Sequence, residues 1–394
     1  MILTNKQEEG LKTAVERYRL GEKYTCISGY AGTGKSTLVS YIIAALGVQP
    51  EDVCYVAFTG KAAMVLQSKG CQNAQTAHKL LYYAKLQKDG SYKFFPKTEL
   101  DHVYKVIVVD EVSMLPAQMW HLLLSHPPYI LALGDPGQLP PIRKDDNNHV
   151  LDHPHVFLDE IMRQAKESEI IQLSMHVREG KPISTFKSGN KQVMIYPQSK
   201  VSQGMYQWAD QIICGKNETR YNINKQVRIV KGFPHEPQIG DKVVCNTNHW
   251  DFFSNLGNWS LTNGSIGEIV SMERKMIDLP YYLGLPMVEY MFTNIDLPDG
   301  DRFRQVPIDY KFLTTGEPSL TGAQLARMKN SKKLRIDPPY DFEYGYAITC
   351  HKSQGSEWSK VLLWEEPFGT QEEKIRWLYT AITRAQDKLV ILKR

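Results

Sequence analysis

Apolar positions fall in short continuous runs, separated by stretches where they recur every three or four residues, and that rhythm predicts strands alternating with helices. A β-prone run at 24–27 enters the glycine-rich GYAGTGKST, and an apolar-periodic stretch at 38–46 follows: strand, loop, helix. A second strand, VCYVAF at 53–58, ends at TGKAA, and MVLQSKG after it reads as a helix closed by Gly70. YKVIVVDE (104–111) and YILALGD (129–135) are almost wholly apolar, as strands covered on both faces should be. The alternation predicts a parallel, doubly wound sheet whose carboxyl edge binds ligands.

Two segments break the rhythm. LYYAKLQKDGSYKFFPK places Asp89-Gly90 between aromatic-rich pieces and predicts a small protruding hairpin over 81–97. From 233 to about 309, short β-prone pieces (DKVVCN, GSIGEIV, PMVEYMFTN, FRQVPID) predict a small barrel inserted in a larger domain. The polar, basic stretch 310–340, with its SKKLR, is left unassigned. The α/β texture returns at FEYGYAITCHKSQG and runs through KVLLW to KLVIL.

Composition changes this picture little. The 394 residues suggest two to four compact units, and 42% apolar with 23% charged residues fits a soluble globular chain. No apolar run approaches the roughly 20 residues of a membrane helix, and the N-terminus lacks a secretory signal pattern. A net charge of +4 permits a polyanionic partner without demanding one. The scattered cysteines (Cys26, Cys54, Cys71, Cys214, Cys245, Cys350) read as reduced cytosolic thiols, and Cys245 with His249 lacks the second ligand pair of a structural zinc site.

The chemistry sits in two motifs. Residues 29–36 fit the phosphate loop GxxxxGK[ST] between a strand and a helix, so its backbone amides should cradle phosphates. Lys35 should reach the β/γ phosphates and Ser36 hold Mg²⁺; Gly29, Gly32, Thr33, Gly34 and Thr37 complete the nucleotide cradle. At the end of a buried strand, Asp110 and Glu111 supply one carboxylate for Mg²⁺ and one to polarise the attacking water.

DEVSM, GDPGQLPPI, LDEIMRQA, YAITCHKSQGSEW and YTAITRA, in that order across nearly the whole chain, resemble the motifs of superfamily 1 helicases, and among these the RecD/Dda-like branch (SF1B). The resemblance implies two RecA-like P-loop domains: domain 1A at 1–80 and 98–165, and domain 2A at 166–232 and 341–394. It also implies a pin hairpin 1B at 81–97 and an SH3-like β-barrel insertion 2B at 233–340. ATP then binds between the RecA-like domains. The match makes Gln7 an adenine reader, Gln138 a γ-phosphate sensor, Arg163 and Arg384 arginine fingers, and Gly355 and Glu357 part of the segment approaching nucleotide from the second domain. Arginine suits the finger role because its planar fork stays charged.

For the strand, the family pattern points to Thr59, Lys61, His78, Thr349, His351 and Lys352, groups suited to phosphate contacts that position DNA without reading it. Phe94 and Phe95 of the hairpin serve equally well as a fork wedge or as packing, and with 13 Phe and 21 Tyr no base-stacking residue can be singled out. The resulting expectation is an ATP- and Mg²⁺-dependent DNA helicase of a bacterial or phage-infected cytoplasm. It moves 5′ to 3′ on single-stranded DNA, opens duplex junctions, works as a monomer and meets replication or recombination proteins such as a single-strand binding protein. Its rivals are an RNA-directed superfamily 1 motor and a nonenzymatic nucleotide-switched clamp or loader.

Overall fold

Six short strands pair in parallel in the computed structural model, which describes residues 3–86, 92–140, 146–257, 259–280, 284–331 and 336–394. Across this first sheet the strands lie in the order Ala74–Thr76, Val53–Ala57, Val106–Val109, Tyr129–Gly134, Tyr24–Gly29, Val156–Leu158. The strand leading to the acidic pair is therefore separated from the phosphate-loop strand by Tyr129–Gly134. Burial on both faces explains the apolar runs: Val106, Val108, Leu131 and Ile27 share one core with Leu38 and Ile42 of the helix Lys35–Leu46.

Details depart from the sequence pattern for local reasons. The helix after the second strand spans Gly60–Ser68, so GKAA lies within it; Thr59 caps it, its hydroxyl accepting the Ala62 N–H at 3.2 Å. The third strand stops at Val109, which leaves Asp110 and Glu111 beyond its end. Ala74–Thr76 and Val156–Leu158 are three residues each, too short to show a period.

A second parallel-paired set follows the order Ala347–Thr349, Gln211–Cys214, Trp358–Trp364, Ala385–Lys393, Val193–Pro197. The helices Glu169–Arg178 and Gln371–Ile382 cover it, their Leu173, Val177, Trp377 and Ala381 sharing a core. Leu139, from the loop after the first sheet's Tyr129–Gly134, is buried in that same core. Both sheets belong to one compact unit of residues 1–81, 97–220 and 348–394.

A second unit, 82–96 with 221–347, is antiparallel. Its sheet runs Arg302–Asp309, Val288–Asp296, Ile266–Ile277, Lys242–Cys245, Phe342–Tyr344. Tyr340 exchanges backbone bonds with the opposite edge, its N–H donating to Pro307 O at 2.6 Å and its carbonyl accepting from Asp309 N at 3.0 Å, so one segment touches both edges and closes the sheet. The SH3-like character of this sheet still rests on resemblance. The unassigned stretch contains two helices, Tyr310–Thr315 and Gly322–Asn330, capped by Asp309 and Thr321; residues 332–335 of SKKLR lie outside the described residues. The hairpin strands Tyr82–Leu86 and Tyr92–Pro96 pair antiparallel, and the Asp89-Gly90 turn also lies outside the described residues. Among the described residues, no helix is long and apolar enough to cross a membrane.

Candidate nucleotide site and strand-binding residues

Two glycines shape the phosphate loop: Gly32 and Gly34 take φ of 77° and 76°, left-handed values that disfavour side chains. A Cβ on Gly34 would also lie 2.5 Å from the Gln7 amide nitrogen. Lys35 at the start of its helix turns its ammonium back onto the loop, donating to Gly29 O at 2.7 Å and Tyr30 O at 3.0 Å. Gln7 is buried rather than on the surface. Its side-chain oxygen accepts the Thr4 N–H in a capping box, and its nitrogen donates to Thr33 O at 3.1 Å.

Asp110 and Glu111 sit where the parallel ladder ends, the Asp110 N–H still donating to Val56 O. Asp110 Oδ1 accepts the Glu111 N–H at 3.0 Å; burial pushes its carboxyl up, with Lys35 the main opposing charge. Glu111 adopts φ 49°, unusual for a residue with a side chain. Its carboxyl is pushed up to about 7, by burial first, with Arg384 pulling the other way and Asp110 adding repulsion. One of its oxygens, Oε2, is buried without a hydrogen-bond partner among the described residues.

Arg384, from the second sheet, lies 3.6 Å from Glu111 Oε1 across the site. The nitrogen facing Glu111, Nη1, also donates to Ser356 O, while Nε donates to Thr380 O and Nη2 to Thr383 Oγ1. Gly355 approaches the helix Gly60–Ser68 so closely that a Cβ there would lie 2.6 Å from the Ala62 Cβ, and it lines a pocket with Asp110, Glu111, Thr59, Glu357 and Arg384. Glu357 is at the rim, near Lys69 at 4.0 Å and accepting from Gln386 at 2.9 Å. Arg163 opens the helix Arg163–Lys166, and its side chain lies outside the described residues. Gln138 lines a cleft with Ser113, Asp135, Asn148 and Arg376.

The sequence reading missed two residues that tie this site together. The Ala31 N–H of the phosphate loop donates to Tyr379 Oη at 2.8 Å, and the Tyr379 hydroxyl donates to Asp135 Oδ2 at 2.6 Å. Both lay inside motifs already singled out, YTAITRA and GDPGQLPP, but nothing local marks a tyrosine and an aspartate so far apart as partners.

The residues expected to meet a strand divide between the sheets. Thr59 and Thr349 cap short helices, and their hydroxyls accept from Ala62 N and Lys352 N. The Lys61 ammonium lies 4.3 Å from the centre of the Trp358 ring, a cation–π contact joining the sheets. His78 packs near Phe58 and His351 near Phe368; burial lowers both imidazoles, which favours the neutral ring that offers an N–H rather than a charge.

Comparison with known proteins agrees with this arrangement. The family model described as "AAA domain" matches residues 3–198, and that described as "UvrD-like helicase C-terminal domain" matches 344–392. The ATP-dependent RecD2 DNA helicase of Deinococcus radiodurans is 27% identical over 400 residues, covering 93% of this chain and 46% of the relative. The ATP-dependent DNA helicase dda of Enterobacteria phage T4 is 28% identical over 191 residues, 45% of this chain and 43% of the relative. The chain thus spans under half the length of these relatives. Among solved structures, Bacteroides Pif1 bound to single-stranded DNA superposes with a TM-score of 0.57 at 16% identity, covering 99% of this chain and 92% of that one. Pif1 helicase from Bacteroides in complex with ADP-AlF3 and single-stranded DNA gives 0.55, also at 16% identity, with the same coverage. Two RecA-like sheets with a phosphate loop, an acidic pair and an arginine from the second sheet define the class, a P-loop nucleotide-binding protein of the superfamily 1 helicase type. Within that class the chain is similar to the RecD2 and dda helicases, and its motifs resemble those of the RecD/Dda-like branch, SF1B.

Proposed function

We propose that this chain is an ATP-driven motor that translocates on single-stranded DNA and unwinds duplex DNA, with 5′-to-3′ polarity. The observation that carries the reading is Arg384 of the second sheet standing 3.6 Å from Glu111 of the first, which makes the catalytic constellation depend on both sheets being together. In this reading the first sheet is domain 1A, the second 2A, the hairpin 1B and the antiparallel segment 2B.

Lys35 leaves the Gly29 and Tyr30 carbonyls for the β and γ phosphates, and Glu111, once ionised, takes the proton of the attacking water. Arg384 and Arg163 offset charge on the transferring phosphoryl group, and Gln138 reports its loss. Gln7 and Thr33 set the adenine end of the loop, and Gly355 with Glu357 brings the second domain to the nucleotide. The residues fit Mg²⁺: beside the phosphate loop stand two adjacent carboxyls, one with a buried oxygen unpartnered among the described residues, oxygen donors of the kind a hard cation takes, and Ser36 and Asp110 would be its ligands. Bound there with the nucleotide, Mg²⁺ would offset charge on the β and γ oxygens. Thr59, Lys61 and His78 on one domain and Thr349, His351 and Lys352 on the other grip the strand in alternation as the domains close and open. Monomeric action in a bacterial or phage-infected cytoplasm, beside a single-strand binding protein, completes the proposal.

Steady-state ATP hydrolysis with and without single-stranded DNA tests it, with Lys35→Ala as control. Stimulation by DNA that vanishes in the variant is the expected result. Stimulation by RNA alone, or turnover indifferent to any strand, would overturn the substrate. Unwinding of a 5′-tailed but not a 3′-tailed duplex is the expected polarity.

A further inference from the structure

We infer that Arg178 is a further nucleotide-binding residue, a cation delivered from the second sheet to the terminal phosphate; the inference rests on the ATPase reading above. Arg178 ends the helix Glu169–Arg178 and lays its guanidinium 3.4 Å from the centre of the Tyr30 ring, the second residue of the phosphate loop. Tyr30 is itself braced edge-on by Phe157 at 5.3 Å. Stacking on an aromatic face fixes the plane of an arginine while leaving its N–H edge available.

One nitrogen of that edge is unsatisfied. Arg178 Nη1 is buried with no hydrogen-bond partner among the described residues. Arg384, by contrast, spends its nitrogens on two carbonyls, a hydroxyl and Glu111. A buried cationic donor without an acceptor is costly unless an anion arrives to take it.

The terminal phosphate is the anion placed to do so. Lys35, whose partners in a loaded loop are the β and γ phosphates, rests on the Gly29 and Tyr30 carbonyls and so marks the Tyr30 end of the loop as the terminal-phosphate end. One residue further, the Ala31 N–H donates to Tyr379 Oη, and the Arg178 charge acts on that hydroxyl too, opposing the effect of its burial. Tyr30, Ala31, Tyr379 and Arg178 therefore surround one spot. The rival role is structural: an arginine in the last turn of a helix favours the helix dipole and could simply brace Tyr30.

The two roles separate in a binding assay on the full chain, in which ADP and AMP-PNP displace fluorescent MANT-ADP. In Arg178→Gln, AMP-PNP should weaken on the order of tenfold or more while ADP stays within about twofold, and kcat should fall roughly a thousandfold, as for loss of an arginine finger. Arg178→Lys keeps the charge without the fork and should fall between; it also carries the test if the glutamine variant does not fold. Equal weakening of ADP and AMP-PNP, or no change in either, overturns the inference. A wild type that binds but does not hydrolyse ATP sinks the motor reading instead, and the AMP-PNP to ADP ratio still decides Arg178.

Discussion

Glu111 combines a left-handed backbone, a buried oxygen with no hydrogen-bond partner among the described residues and a carboxyl pushed up to about 7. A water-activating base must be ionised, so kcat/KM for ATP should climb as pH rises through about 7 and level off above it, measured in steady state from pH 5.5 to 9. Glu111→Gln should lower turnover by about a hundredfold or more and erase that limb. Stability runs the other way. A carboxyl raised above its ordinary 4.5 favours the fold fully below that value, and the contribution is lost as pH rises through about 7. Glu111→Gln should therefore melt higher than the wild type at pH 8 and level with it at pH 4; the opposite order at pH 8 would mean that the carboxylate is well solvated. Only the identity of this residue was legible from VIVVDEVSM; its proton affinity depends on Arg384 and on burial, which no local pattern encodes.

At the scale of elements, the loop after Tyr129–Gly134 is held by the second sheet at three points. Tyr379 donates to Asp135, Thr380 Oγ1 accepts from Leu139 N at 2.9 Å, and Gln354 Nε2 donates to Leu139 O at 3.0 Å. The loop carries Gln138, so its position is tied to the helix Gln371–Ile382 that leads to Arg384. Tyr379→Phe keeps the ring but strips the hydroxyl from Ala31 and Asp135, an unsatisfied buried group costing about 1–3 kcal/mol. We expect a lowered thermal midpoint and a change in DNA stimulation larger than the change in MANT-ADP affinity; equal changes would reduce Tyr379 to packing. A second anchor is Glu169, whose carboxylate accepts from Ser188 Oγ at 2.6 Å and from the backbone N–H of Gly189, Asn190, Gln192 and Val193. Burial alone would raise it, but these donors outweigh burial and hold it at about 2. Its contribution is present above about 4.5 and lost as pH falls through about 2. Glu169→Gln should cost about 1.5–3 kcal/mol in urea unfolding at pH 7 and progressively less as the solution is acidified.

The whole molecule holds two compact units, and the second has its own polar keystone. Arg228 pairs with fully buried Asp241 at 2.9 Å and also donates to the His235 and Glu236 carbonyls, while the Tyr346 hydroxyl and Gln238 N–H donate to the same carboxylate. Removing one partner of such a pair strands the other charge, at a cost of about 3–5 kcal/mol. Asp241→Leu should therefore lower the melting of the 221–347 segment, followed by hydrogen exchange, while MANT-ADP binding to the other unit survives. Loss of nucleotide binding in parallel with that melting would show that the two units unfold as one.

The phosphate loop, the acidic pair and the alternating strands were legible in the sequence because each is set by backbone geometry within a few consecutive residues. The glycines at 32 and 34 permit the loop, and continuous apolar runs demand burial on both faces. The two helices within 310–340 were not legible, since their start signals, the Asp309 cap and the Thr321–Gln324 capping box, sit in a polar, basic stretch. Tertiary structure alone decided that Tyr379, 348 positions from Ala31, would meet the phosphate loop, that Leu139 would be buried in the second sheet's core, and that Arg178 would lie on Tyr30. The physical reason is one of range: a turn, a cap or a strand is favoured by torsions and burial in its own segment, whereas the surroundings of a charge or a hydroxyl are made by whatever the folded chain brings beside it.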